Sequence, residues 1–329
     1  MKKMCKFLAL LLVVTFAAAS FSACENGGGS DDGNFSIGII QLLEHPALDA
    51  ASNGFMEELT AAAESAGYTV TFDLQNAQND TATLNTIASG FERRGVDLVL
   101  ANATPSAQAM ANVTNEIPIV GVSITTFVGA GLVDSNEAPG GNITGASDMN
   151  PVRAQIEMIL EFFPDIQTIG LLYSSGEDNS VYQAQLARDV IEDLGLTSDS
   201  ATIADVNDLR QVATSLAGRV DAIYIPTDNN IAGAMGVIEQ VSDSSSTPFF
   251  AGEENMTMGG GVATLSVNYE ELGRQAGRMA AQILLQGATP ATMPIQTAER
   301  YNYTVNGYMV ERLGIDVPTR FQEFIRMPE

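Results

Sequence analysis

The sequence predicts an α/β protein built from two similar, doubly wound parallel-sheet lobes joined by a hinge. Three observations lead there. From Phe35 onward, short β-rich runs alternate with helical patterns, as βαβ units and parallel sheets require. The same order of elements is then written a second time. At roughly 100–200 residues per domain, the 329 residues suffice for two cores.

In the first copy, residues 36–40 (SIGII) read as a buried strand. Residues 47–66 follow as a helix with Phe55, Leu59, Ala62 and Ala66 on one face, closed by Gly67. Residues 68–74 form the second strand. Leu84, Ile87 and Phe91, at i, i+3 and i+7, mark the second helix, and residues 96–101 the third strand. In the second copy, residues 168–173 (TIGLLY) match the first strand. Ala184, Ala187, Ile191 and Leu194 line the next helix, which stops at Gly195, and Leu209, Val212 and Leu216 repeat the second-helix spacing. Gly218-Arg219-Val220-Asp221 echoes Gly95-Val96-Asp97. Each third strand ends in a threonine-bearing turn, Ala103-Thr104-Pro105-Ser106 in one copy and Pro226-Thr227-Asp228-Asn229 in the other.

The joins are legible as well. Residues 145–151 leave the first lobe, and Asn150-Pro151 offers a cap and an N1 proline for a new helix. After a strand at 262–267, Asn268 and Glu271 resemble a capping box for a helix at 269–286, with Leu272, Ala276, Met279 and Ile283 on one face. Arriving after the second copy has ended, that helix is expected to pack back on the first lobe. The expected lobes are 35–147 plus 268–297, and 148–267 plus 298–329, with several crossings between them acting as a hinge.

Composition narrows the function. There are 15 Lys+Arg against 40 Asp+Glu, a formal charge of -25, with one His, two Cys and no Trp. Lys2, Lys3 and Lys6 are the only lysines, so the body has neither a Schiff-base lysine nor a phosphate-loop lysine. His45 alone cannot make H-E-x-x-H or a His-rich metal site. The carboxylate surplus repels phosphate backbones, which argues against nucleic acid as a partner. No G-x-S-x-G nucleophile motif is present, and Gly129-Ala130-Gly131 lacks the third glycine of a dinucleotide fingerprint. No enzyme activity, metal or cofactor is expected.

The first two dozen residues read as a secretory signal at 1–23: a basic start, an apolar run at 7–19 too short to span a bilayer, then Ser20-Phe21-Ser22-Ala23-Cys24. Small residues before Cys24 resemble a bacterial lipobox, with Phe21 in the place where leucine is usual. Cys24 is the expected lipidation site, and the Gly/Ser/Asp run at 24–34 a flexible tether holding the body outside the cell membrane.

In open parallel sheets, ligands collect beyond the carboxyl ends of the strands. Those loops are 41–46, the two threonine turns, 174–180 and 252–255. Several precede helix N-termini, whose N–H groups suit a carboxylate, while Asp228, Glu253 and Glu254 suit an ammonium. Together they suit a zwitterion such as an amino acid. Each loop also has a plainer reading, since Ser, Thr or Asn before a helix caps it and paired acids are usually solvated.

These loops carry a family resemblance. QLLEHPALDAA (41–51), QNAQND (75–80), ANATPSAQAMAN (101–112), IPIVGVSITTFVGAGLV (117–133), PGGNITGASD (139–148), LLYSSGEDNS (171–180), VDAIYIPTDN (220–229) and FFAGEENM (249–256) are similar to the substrate-binding lipoproteins of ABC importers, the tryptophan/tyrosine-binding family. The resemblance implies a type I periplasmic-binding-protein fold that captures a small molecule and delivers it to permease subunits with their ATPase. By position it places Glu44, His45, Thr104, Ser106, Ser147, Asp148, Asn179, Ser180, Asp228 and Glu253 around the cleft. The ligand carboxylate is assigned to the Asn179-Ser180 helix start and the Thr104–Ser106 turn, and the ammonium to Asp228. Where relatives commonly read D-P-V-G-A-G, this chain has Thr126-Phe127 before Val128, so a pocket of altered polarity or ligand choice is expected. Alternatives are a sensory domain serving a receptor partner, or a binding protein for a branched-chain amino acid or a sugar.

Overall fold

The order of strands reveals the duplication directly. β1 (Asn34–Gln41), α1 (Pro46–Ser65), β2 (Thr69–Asn76), α2 (Thr81–Arg94), β3 (Leu98–Asn102), α3 (Thr104–Ala111), β4 (Ile119–Ile124) and β5 (Ile143–Ser147) come first. α4 (Val152–Phe162), β6 (Thr168–Ser174), α5 (Asp178–Asp193), β7 (Thr197–Ile203), α6 (Leu209–Ala217), β8 (Ala222–Ile225), α7 (Asn229–Ala232), α8 (Met235–Ser245), β9 (Phe249–Ala251), α9 (Glu254–Met258) and β10 (Ala263–Ser266) follow. The chain closes with α10 (Tyr269–Gln286), β11 (Gln296–Thr297), β12 (Asn302–Asn306), α11 (Gly307–Leu313) and β13 (Ile325–Arg326). The first sheet runs β11-β5-β4-β3-β1-β2 and the second β7-β6-β8-β9, so both share the order 2-1-3-4 counted from each lobe's first strand. The structure, a computed structural model, describes residues 33–328. The expected signal segment, Cys24 and most of the tether lie outside the described residues.

Both sheets are covered on two faces, as parallel sheets must be. Along β3, Leu98 and Leu100 face a core shared with Phe55 and Leu59 of α1 and Leu272, Met279 and Ile283 of α10. Val99 and Ala101 face the opposite core, with Ile87 and Phe91 of α2 and Met110 of α3. In the second lobe, Ala222 and Tyr224 of β8 join Ile156, Ile159 and Ile191 on one side. Ile223 and Ile225 join Leu209, Leu216 and Ile238 on the other. The repeated Val-Asp pair has a repeated task. Asp97 Oδ2 accepts from Ser36 N (2.7 Å) at the start of β1, and Asp221 Oδ2 accepts from Gln167 N and Thr168 N (both 2.8 Å) at the start of β6.

α10 packs back on the first lobe, backbone against backbone with α1. A Cβ on Gly273 would sit 2.0 Å from the Ala51 carbonyl oxygen, and one on Gly54 2.2 Å from that of Glu270. Asn268 caps α10 by accepting from Glu271 N (2.9 Å).

The strand expected at 262–267 forms at Ala263–Ser266, outside the two parallel sheets. β10 pairs antiparallel with β12, which pairs parallel with β13, in a separate three-stranded sheet. One expectation needs correction: Asn150 does not cap α4, whose N-cap position is Pro151. It is instead buried between crossings, where Nδ2 donates to Gly252 O (2.9 Å) and Oδ1 accepts from Val267 N (3.0 Å). Joining the Val267 N–H, which has no other partner, to a Gly252 O shared with Gln155 Nε2 (3.1 Å) outweighs one helix-terminal N–H.

Candidate ligand-binding cleft

The carboxyl ends of both sheets face one another across a cavity of about 30 Å³ lined from both lobes: Leu43, His45, Ala47, Leu48, Ser123, Thr125, Asp148 and Tyr269 on one side, and Asn179, Thr227, Asp228, Asn229, Ala232, Glu253 and Met256 on the other. The lobes touch beside it. Asn79 Nδ2 donates to Asn230 Oδ1 (2.6 Å), Gln108 Nε2 to Asp178 Oδ2 (2.8 Å) and Gln183 Nε2 to Thr125 Oγ1 (3.1 Å). No Lys or Arg lines the cavity, and among the described residues no acidic, His or Cys cluster could hold a metal ion.

The second-lobe wall is rich in acceptors. Asp228, at the end of β8, accepts from Ser174 N (2.6 Å), Ser174 Oγ (2.8 Å) and Ile231 N (2.9 Å), tying β6 to the start of α7. Glu177 lies behind it, buried, accepting from Asn229 N (3.0 Å), Asn229 Nδ2 (2.7 Å) and Asn230 N (2.9 Å). Glu253 caps α9 through Asn255 N (2.8 Å) and Met256 N. Burial pushes the Asp228 carboxyl up, and raises Glu253 and Glu177 to about 7, the nearby Asp228 charge adding to the rise at Glu177. Asn179 directs its amide hydrogens to Glu177 Oε2 (3.0 Å) and Thr227 O (2.9 Å), leaving its buried Oδ1 without a partner.

On the other wall, Tyr269 donates to Asp148 Oδ2 (2.9 Å) and Thr125 Oγ1 to Asp148 Oδ1 (3.1 Å), across two chain crossings. Burial raises Asp148 to about 6 against the opposing effect of those two bonds. His45 N-caps α1, its Nδ1 accepting from Ala47 N (3.3 Å), and its Nε2 lies 4.0 Å from Glu253 Oε1. Burial lowers its pKa, with Asp49 opposing. A ring whose Nδ1 accepts and whose charge is disfavoured carries its single proton on Nε2. At the ends of β3 and β4, the hydroxyls of Thr104, Ser106 and Ser123 are buried without partners, and no side chain caps α3. Ala103 (φ +86°) and Ser123 (φ +55°) hold left-handed backbones that non-glycine residues adopt at a cost.

Of the ten residues placed by resemblance, His45, Asp148, Asn179, Asp228 and Glu253 line this cavity. Thr104, Ser106, Ser147 and Ser180 are buried beside it but do not line it; Ser147 Oγ donates to Thr125 O (2.8 Å) and Ser180 Oγ to Thr227 O (3.4 Å). Glu44 is exposed and lines a separate surface depression with Asn79 and Asn230. The Asn179-Ser180 start offers a ligand carboxylate no spare side-chain donor; what it presents is the Asn179 acceptor. The Thr126-Phe127 departure does not alter the cavity wall. Phe127 is buried in the first-lobe core against Gly121, and Thr126 Oγ1 accepts from Gly129 N (3.0 Å). Sequence reasoning missed Ser123, Thr125, Tyr269 and Glu177. Applying the carboxyl-end rule to the fourth strand of the first lobe finds Ser123 and Thr125; Glu177 sits in the 174–180 loop already located but is not singled out there, and Tyr269 becomes visible only once the crossings are placed.

Comparisons with known proteins agree on one kind of molecule. Residues 36–323 match the family model described as ABC transporter substrate binding protein. Over 311 residues the chain is 34% identical to a tyrosine-binding protein of Clostridioides difficile (strain R20291), covering 92% of this chain and 90% of that one. An ABC domain from Streptococcus pneumonia in complex with L-Trp is 33% identical, covers 89% of this chain and 99% of its own, and superposes with a TM-score of 0.84. The ligand-free, open structure of a substrate binding protein with adhesive properties from Clostridium difficile is 36% identical over 89% and 98% of the two chains, with a TM-score of 0.69. At comparable identity, the lobes here superpose better on the tryptophan complex than on the open form.

Proposed function

We propose, for a chain that belongs to the ABC transporter substrate-binding protein family, that it captures an aromatic amino acid between its lobes and hands it to an import permease outside the cytoplasmic membrane. The observation that carries this reading is the polarity of the cleft. Asp228, Glu253 and the Asn179 carbonyl oxygen on the second lobe seek a cation, and on the first the unpartnered hydroxyl of Ser123, with those of Thr104 and Ser106 buried behind the wall, seeks an acceptor. A zwitterion lying across the cleft, ammonium toward the second lobe and carboxylate toward the first, satisfies both walls at once. Leu43, Leu48, Ala232 and Met256 supply apolar lining suited to a ring. The tyrosine-binding relative and the L-Trp complex point to the same ligand class.

The remaining parts follow from that role. Cys24 carries the lipid, residues 24–34 the leash, and two rigid bodies, 35–147 plus 268–297 and 148–267 plus 298–329, close on the guest, which leaves chemically unchanged. Isothermal titration with Trp, Tyr, Phe, Leu and ribose tests the reading. Binding is expected for the aromatic amino acids, weaker for Leu and absent for ribose. If no amino acid binds, the proposal is wrong.

A further inference from the structure

We infer that Ser123 is a ligand-contacting residue, the side-chain donor that reads the carboxylate of the captured zwitterion and sets the preference for a free acid over its amide. The inference deepens the proposed function and rests on it.

Elimination along the cavity wall leads to this residue. Of the hydroxyls lining the cavity, Tyr269 donates to Asp148 Oδ2, Thr125 to Asp148 Oδ1 and Thr227 to Gln183 Oε1 (2.9 Å). The amide hydrogens of Asn179 go to Glu177 and Thr227, and Asn229 Nδ2 donates to Glu177 Oε2. His45 turns its Nε2 toward Glu253. Among the described lining residues, that leaves Ser123 as the one hydroxyl with no partner, on a residue 8% exposed. A buried hydroxyl without a hydrogen bond is unfavourable by itself. Here it sits on a backbone at φ +55°, which a glycine would adopt without strain. Two unfavourable features on one residue, at the carboxyl end of a central strand, mark a place held for a guest rather than for the fold.

The neighbourhood fits an anionic guest. Ala103 N donates to Val122 O (3.0 Å), which sets the Ala103-Thr104 turn beside Ser123. Thr104 and Ser106 there add two more partnerless hydroxyls at the uncapped start of α3. With no Lys or Arg on the wall, neutral donors do the reading, and a free carboxylate gains more from them than a carboxamide does.

The test compares L-tyrosine and L-tryptophan with their carboxamides on wild-type protein, Ser123→Gly and Ser123→Ala, by titration at a pH where all four probes carry a protonated amine. Ser123→Gly removes the hydroxyl while suiting the backbone, and Ser123→Ala serves if the glycine variant does not fold. Each variant is expected to lose about tenfold or more in affinity for the acids, one hydrogen bond to a charged group, and threefold or less for the amides. Equal losses for acid and amide, or no loss for either, overturn the inference and leave the proposed function standing. If wild-type protein binds neither acid, both fall.

Discussion

Acidifying the solution from pH 7 to pH 5 should loosen amino-acid binding by about two orders of magnitude. Burial holds Glu253 at about 7 and Asp148 at about 6, against ordinary values of 4.5 and 3.8, and pushes Asp228 up as well. An ammonium gains a charge-assisted bond only from the ionised carboxylate. Binding below those pKa values must therefore expel a proton. With one proton released, the dissociation constant rises about tenfold per pH unit below the free-state pKa, so two units correspond to roughly 100-fold, or about 2.7 kcal/mol. Stability of the ligand-free form has the opposite sign. A raised carboxyl pKa contributes stability that is present below the ordinary carboxylate range and lost as pH rises through about 6 to 7, so melting temperature without ligand should fall over that interval. Titration calorimetry in two buffers of different ionisation enthalpy counts the protons. A dissociation constant constant within threefold from pH 7 to 5, with no proton release, would refute the assignment of the ammonium to these acids.

Two substitutions test the frame that positions the cleft. Gly273→Ala gains up to about 1 kcal/mol of helix propensity, but its methyl group would lie 2.0 Å from the Ala51 carbonyl oxygen, a backbone atom that cannot rotate away. Overpacking of about 1–3 kcal/mol should win, and a urea midpoint equal to or above wild type would contradict the α1–α10 contact. Asn150→Ala leaves buried Val267 N without its partner, while Gly252 O keeps Gln155 Nε2 (3.1 Å); at roughly 1–3 kcal/mol for the one unsatisfied group, a drop in urea midpoint is expected. An unchanged midpoint would mean that Asn150 does not bind the crossings together.

Much of this was legible because it depends on local periodicity. The i, i+3, i+7 spacings of Leu84, Ile87 and Phe91 mark α2, all three buried against the first sheet, and the paired Gly-Val-Asp turns announced the duplication before their shared backbone bonds were visible. What a strand sequence does not encode is the direction of its partner. Nothing in residues 263–266 distinguishes parallel from antiparallel pairing, which is fixed by the path of β12. The site divided along the same line. The carboxyl-end rule located His45, Asn179, Asp228 and Glu253, but it identifies a loop, not which way each side chain faces. Thus Glu44, adjacent to His45, turns outward, and the Asn179 amide hydrogens turn inward to the protein. Side-chain direction follows from competition among neighbouring donors and acceptors, which requires the fold.

In the proposed function, closure and capture are coupled by the same groups. A space of about 30 Å³ holds roughly one water, whereas sites for small molecules run to roughly 300 Å³ and more. An aromatic guest therefore needs the walls to separate first. Each lobe has two cores of its own, so rigid-body motion must be absorbed where the chain crosses, at 147–152, 266–269 and 297–302. The contacts favouring the closed arrangement are modest: two exposed side-chain bonds at Asn79 and Gln108, and a buried one from Gln183, each worth about 1 kcal/mol. Against them stands the desolvation of Asp148, Asp228 and Glu253. Opposing terms of similar size keep the two arrangements close in free energy, and a ligand shifts such an equilibrium only through its differential affinity. A zwitterion has that property here, because its ammonium reaches the second-lobe acids and its carboxylate the first-lobe hydroxyls only when the two walls come together. A neutral sugar cannot neutralise the buried acids, and its binding would leave the cost of closing in place.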